Sequence, residues 1–228
     1  MIAFRLHRFL CVLVLALVGT PAFGQTKPAL LYSLPPDGTW VEFEMTRPGG
    51  EAGHETARLR LGSVGKEVVN GAPHRWIEIR RETATEGKPM TVLAKILIAE
   101  SAFGDSTLKK ESVAKAFEQK SSQMMRRLSP EQADDLITFG FRGDSYRLIA
   151  VNDKEELTTP LGKFSCKQMK SSSAMKGLPL EMNVWLTRDV PFGWARAEVG
   201  VPGAPKVVVV AVKTGKDAKS ELDETKAK

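Results

Sequence analysis

A period-two alternation of apolar and polar side chains constrains this chain more than any other feature. It recurs in short stretches between Thr39 and Val212, each bounded by glycine, proline or asparagine. Successive side chains of a strand point to opposite faces, so alternation marks a sheet with one dry face and one wet face. Val41, Phe43 and Met45 oppose Trp40, Glu42 and Glu44; Ala57, Leu59 and Leu61 oppose Thr56, Arg58 and Arg60; Met182, Val184 and Leu186 oppose Glu181, Asn183 and Trp185. Lys66 to Val69 and His74 to Glu82 flank Asn70-Gly71, the dipeptide suited to a tight hairpin, with Pro73 leaving room for a wider loop. Met90 to Ala99 is nearly continuous in apolar residues and reads as a central strand. Tyr146 to Val151, Glu156 to Ser171 (a long strand or a pair, bent at Pro160-Leu161-Gly162), Trp194 to Val199 and Lys206 to Val212 complete about nine to ten strands. Short sequential strands imply hairpins and meanders rather than parallel crossovers.

The period changes over residues 104 to 139. Val113, Ala116, Phe117 and Met124 fall near helical spacing. Ser129-Pro130-Glu131-Gln132 then has the form of a helix start: a serine cap, proline at the first helical position and glutamine three residues after the cap. The expected fold is therefore mainly β (α+β), a curved antiparallel sheet or half-barrel. A helical insertion at about 104–139 covers its concave face.

The flanks read differently. Arg5, His7 and Arg8 precede an apolar run from Phe9 to Val18, followed by Gly19-Thr20-Pro21 and Ala22-Phe23-Gly24. That is the layout of a secretory signal over residues 1–24, cut between Gly24 and Gln25. The run of ten residues is half of the roughly 20 needed to span a bilayer, and no later segment is longer, so the mature chain is expected to be exported without an integral membrane segment. Residues 25–38 form a proline-rich lead-in, 39–213 a single domain, and 214–228 a lysine-acid tail with one leucine that is expected to be disordered.

The formal charge of +6 includes Arg5 and Arg8 of the leader, and the remaining charges are well mixed. No basic run exceeds a pair such as Arg126-Arg127, which speaks against nucleic acid as a partner. Cys11 leaves with the signal, so Cys166 stands alone and cannot form an internal disulfide. Its expected role is a small buried hydrophobe.

No catalytic, metal or cofactor motif emerges. His54 and His74 have no ligand at helical or hairpin spacing and are expected at the surface. Gly62-Ser63-Val64-Gly65 lacks the nucleophile-elbow spacing, the Gly-Lys pairs lack the upstream glycine of a phosphate loop, and Asp134-Asp135 belongs on a solvated helix face. The residues that stand out are Trp40, Trp76 and Trp185. Each lies opposite the main apolar set of its strand, so each needs a second cover, a cavity or partial exposure. They are the candidate ligand-binding residues.

Three stretches resemble exported bacterial β-rich proteins that carry no known activity. They are Gly71-Ala72-Pro73-His74-Arg75-Trp76-Ile77-Glu78, Thr159-Pro160-Leu161-Gly162-Lys163-Phe164-Ser165-Cys166, and Val184-Trp185 through Val190-Pro191-Phe192-Gly193. The resemblance implies a shared sheet topology. The expected architecture is also similar to periplasmic lipoprotein carriers of the LolA/LolB type, in which a curved sheet and helices enclose an apolar cavity. Three readings of function follow. The first is an exported, non-enzymatic protein, periplasmic or secreted, that binds an apolar or lipid-like ligand, with lipid or lipoprotein as partner. The second is an envelope protein–protein interaction or structural module without a ligand. The third is a hydrolase with a dispersed site.

Overall fold

A computed structural model describes residues 33–48, 54–85, 88–103, 112–121, 123–133, 149–175 and 178–226. The leader, its Gly24/Gln25 cut, the first part of the lead-in and much of the expected insertion lie outside these residues. The described strands are β1 (Trp40–Pro48), β2 (His54–Val69), β3 (Ala72–Thr85), β4 (Lys88–Ala99), β5 (Val113–Lys120), β6 (Arg126–Arg127), β7 (Ile149–Thr159), β8 (Gly162–Met175), β9 (Leu178–Leu186), β10 (Trp194–Gly200) and β11 (Val207–Gly215).

All eleven form one curved, open antiparallel sheet in the order β6-β5-β4-β3-β2-β1-β11-β10-β9-β8-β7. Two meanders, β1–β6 and β7–β11, thus meet at the β1–β11 pairing. The second meander curls strongly enough for β7 and β11 to touch although three strands lie between them.

Local chemistry sets the corners. Asn70 and Gly71 both have positive φ, 51° and 77°, and Val69 pairs directly with Ala72, so the loop has only two residues. Pro73 does not widen it, because it pairs with Val68 inside the strand. The Gly62–Gly65 stretch lies inside β2. It is a bulge that shifts the register between Ser63 and Lys66 and joins what reads as two strands into one, with Gly65 at φ 136°.

The main apolar cluster lies on the inner face. It takes Val41 and Phe43 from β1, Leu61 from β2, Ile77 from β3, Ile96 and Ile98 from β4, and Cys166, Met169, Met182 and Val184 from β8 and β9. Phe43 stacks on Trp194 of β10 at 3.9 Å between ring centroids. A second, smaller cluster of Trp76, Leu97, Phe117, Met125 and Leu222 occupies the outer face of β3–β5.

Of three boundaries, two differ from expectation. Residues 113–120, expected in the helical insertion, are strand β5. Ala116 joins the inner cluster and Phe117 the outer one. Both faces are covered there, so adjacent apolar residues are buried and mimic helical spacing. The second helix start is found where expected: Gln132 N–H donates to Ser129 Oγ and Ser129 N–H to Gln132 Oε1, a reciprocal capping box. Third, the tail expected to be disordered packs on the outer face through Glu221 and Leu222.

Candidate functional site

Two surfaces carry buried polar chemistry: the inner wall of β8–β10 and the outer face of β2–β4.

The inner wall is soft and apolar. Met169 and Ser171 of β8 are buried and face Met182 and Val184 of β9 across the ladder, where Met169 pairs with Val184 and Ser171 with Met182, while the buried Cys166 pairs with Glu155 of β7. The Ser171 hydroxyl and the indole N–H groups of Trp185 and Trp194 are buried without a hydrogen-bond partner among the described residues. The Cys166 thiol is pushed up from 9.0 to about 11 by burial first and then by the carboxylates of Glu155, Asp189 and Glu156. It is therefore protonated at neutral pH and is not an activated nucleophile. This agrees with its expected place as a small buried hydrophobe.

The outer face is held together by ions. Glu78 of β3 and Lys95 of β4 are direct cross-strand neighbours, 6% and 5% exposed. Both turn to the C-terminal segment. Glu78 accepts hydrogen bonds from Ser220 Oγ at 2.8 Å, from the Glu221 N–H at 3.0 Å and from the Leu222 N–H at 3.2 Å. Lys95 donates to the Leu222 carbonyl at 3.5 Å and pairs with Glu224. Arg80 pairs with Glu221 and with Glu82, and its guanidinium is held further in the charged form chiefly by the hydrogen bond to Glu82. Leu222 inserts beside Trp76, Leu97, Phe117 and Met125. Lys115 lies over the Trp76 ring and donates to Glu67, whose carboxyl is lowered from its usual range mainly by that bond.

A third polar cluster anchors the lead-in. The buried Arg75 guanidinium donates to Glu100 at 2.8 Å and 3.1 Å, to the Pro35 carbonyl at 2.9 Å and to Ser63 Oγ at 2.8 Å.

The three tryptophans singled out in the sequence do not meet in one cavity. Trp40 and Trp76 share the outer face on either side of β2, and their second cover is the tail: Trp40 Nε1 donates to the Lys216 carbonyl, and Leu222 packs in the Trp76 cluster. Trp185 lies across the sheet on β9, buried, with Arg196 over its ring at 5.4 Å. Sequence reasoning missed Glu78, Lys95 and Ser171. The signal for Lys95 was a charge inside an otherwise apolar run, and that for Glu78 a charge between Ile77 and Ile79. His74, expected at the surface, is buried because β4 runs alongside it, and its Nδ1 lies 2.9 Å from the Ala72 carbonyl. The side chains of His54 and of Asp134-Asp135 lie outside those described. No group of three or more potential metal ligands occurs among the described residues.

No protein-family model matches the chain, and no curated protein matches it in sequence. The chain is similar to several solved structures at low identity. One is a candidate exported protein with a YmcC-like fold from Bacteroides fragilis, with 9% identity and a TM-score of 0.42 over 81% of this chain and 99% of that one. A candidate lipoprotein from Parabacteroides distasonis has 10% identity and a TM-score of 0.40 over 84% and 100% of the two chains. A DUF1329 family protein from Desulfovibrio piger has 12% identity and a TM-score of 0.34 over 82% and 88%.

Proposed function

We propose that this is an exported, non-enzymatic binding protein whose inner wall at β8–β10 takes an apolar, lipid-like ligand. One observation carries the reading. A wall of Met169, Met182 and Val184 holds buried donors, Ser171 Oγ and Trp194 Nε1, that make no hydrogen bond among the described residues. Buried donors are ordinarily paired, and an unpaired one costs about 1–3 kcal/mol. An acyl body bearing a carbonyl or ester would bury its chain against the soft methionines and satisfy such a donor. Export rests on the leader at residues 1–24. Likeness to carriers of the LolA/LolB type is part of this proposal and rests on the curved sheet.

The test is native mass spectrometry of the chain purified from Gln25, with organic extraction of bound material and titration with a fatty acid or phospholipid. A co-purifying or saturably bound lipid supports the reading. A chain that arrives empty and leaves all lipids unbound sinks it.

The second reading, an envelope interaction module, is favoured by β7. This edge strand exposes Ile149 and Val151, 56% and 57% accessible, and its pairing with β8 is interrupted by two register shifts. Sedimentation across a concentration series tests it; self-association lost on Val151→Lys would support it.

A further inference from the structure

We propose that the outer face around Glu78, Lys95 and Trp76 is a recognition site for an extended acidic peptide carrying a leucine, and that Ser220–Glu224 of this chain is its resident occupant. The site lies on the opposite side of the sheet from the inner wall and does not depend on the lipid reading. The bound segment belongs to no strand of the sheet, yet both main-chain groups of Leu222 are read by buried charges. Its N–H goes to Glu78 and its carbonyl to Lys95. Glu78 also takes the Glu221 N–H and the Ser220 hydroxyl. The sheet thus supplies an acceptor and a donor on adjacent strands, fixed by the direct pairing of Glu78 with Lys95.

One pocket reads one side chain: Leu222 is 3% exposed against Trp76, Leu97, Phe117 and Met125. Two cations read the flanking acids, Arg80 at the rim taking Glu221 and the buried Lys95 taking Glu224. Peptide-recognition surfaces divide labour in this way. Main-chain hydrogen bonds hold the segment, and a pocket with rim charges chooses its sequence. The segment starts beside Asp217, a non-glycine residue with φ of 66°, which marks the corner where the chain leaves β11 for the outer face. With the segment removed, Glu78 and Lys95 would stand open to solvent beside an uncovered apolar pocket of Trp76, Leu97, Phe117 and Met125, a surface complementary to a peptide of the same chemistry. The class of partner follows: a segment with leucine between acidic residues, held extended.

The experiment uses the full chain with Leu222→Lys, which releases the tail and leaves every sheet residue in place. A fluorescent peptide of residues Ala218–Lys226 is titrated into it and into the unmodified chain. Saturable binding to the Leu222→Lys chain is expected, weaker by about tenfold or more in the unmodified chain, where the tethered tail competes at high effective concentration. Binding should fall by about tenfold or more when Glu78→Gln is added or when the peptide itself carries Leu222→Lys. A folded Leu222→Lys chain that ignores the peptide, or equal binding to both chains, overturns the proposal. If the Leu222→Lys chain does not fold, amide exchange on the unmodified chain decides. The Glu221 and Leu222 amides should exchange through an opening more frequent than that of β3 and β4. Exchange only together with those strands overturns the proposal.

Discussion

Gly215 ends β11 against the indole of Trp40, and a Cβ there would lie 2.6 Å from three ring atoms. The ring has little room to yield, since its Nε1 holds the Lys216 carbonyl and Arg60 lies over it at 4.2 Å. Gly215→Ala should therefore cost roughly 1–3 kcal/mol, read as a lower urea midpoint with unchanged slope. An unchanged midpoint would mean that the indole moves aside freely. Ser171→Val should do the opposite. It removes a buried hydroxyl without a partner among the described residues, so thermal stability should rise by about 1 kcal/mol, while lipid binding weakens if the hydroxyl serves the ligand. Cys166 gives a pH dependence. Its thiol ionises near 9.0 when unfolded and at about 11 when folded. Between those values the unfolded chain loses a proton that the folded chain keeps, so this stability is complete below pH 9 and falls as pH rises through the window. Cys166→Ala should flatten the decline in denaturation curves taken from pH 8 to 11; an identical decline would show that the thiol does not contribute to it.

Among the elements, the lead-in is tied down by Arg75, which binds Glu100, Ser63 and the Pro35 carbonyl. Arg75→Ala strands these partners and should cost roughly 2–3 kcal/mol; Arg75→Lys, which cannot reach all three in one plane, should restore only part of it. Most strands were legible in the sequence, because a sheet with one dry face writes its geometry into every second residue. The Asn70-Gly71 corner and the Ser129 cap were legible for the same reason: their chemistry is local. Strand β5 was not, since cover on both faces hides the alternation at Ala116 and Phe117. The docked tail was not legible either. Its composition is that of a solvated segment, and its order comes from Glu78 and Lys95, more than a hundred residues away in the chain. What could be read was the need for a cover: Trp40 and Trp76 sit on the wrong side of their strands unless something lies over them. The orphaned Ser171 had no sequence signal, because a serine opening the run Ser171-Ser172-Ser173 after Lys170 is indistinguishable from a wet-face or loop residue.

For the whole molecule, the sheet order separates short-range from long-range work. Every described pairing joins strands adjacent in sequence except β1 with β11. Each meander can therefore assemble from hairpins, which close small loops, whereas the central pairing must bring together strands from the two ends of the domain. Phe43 belongs to that junction, through β11 and through its stack on Trp194. Phe43→Leu should speed unfolding and leave the refolding rate nearly unchanged in stopped-flow traces, as expected of contacts made after the transition state; an equal slowing of refolding would place the junction in the nucleus. The same order means that β1, flanked on both sides in the finished sheet, spends much of the folding time as a bare edge waiting for the last strand. Misassociation of newly made chains should therefore begin at the middle of the eventual sheet, and a segment that mimics β11 would be its most effective blocker.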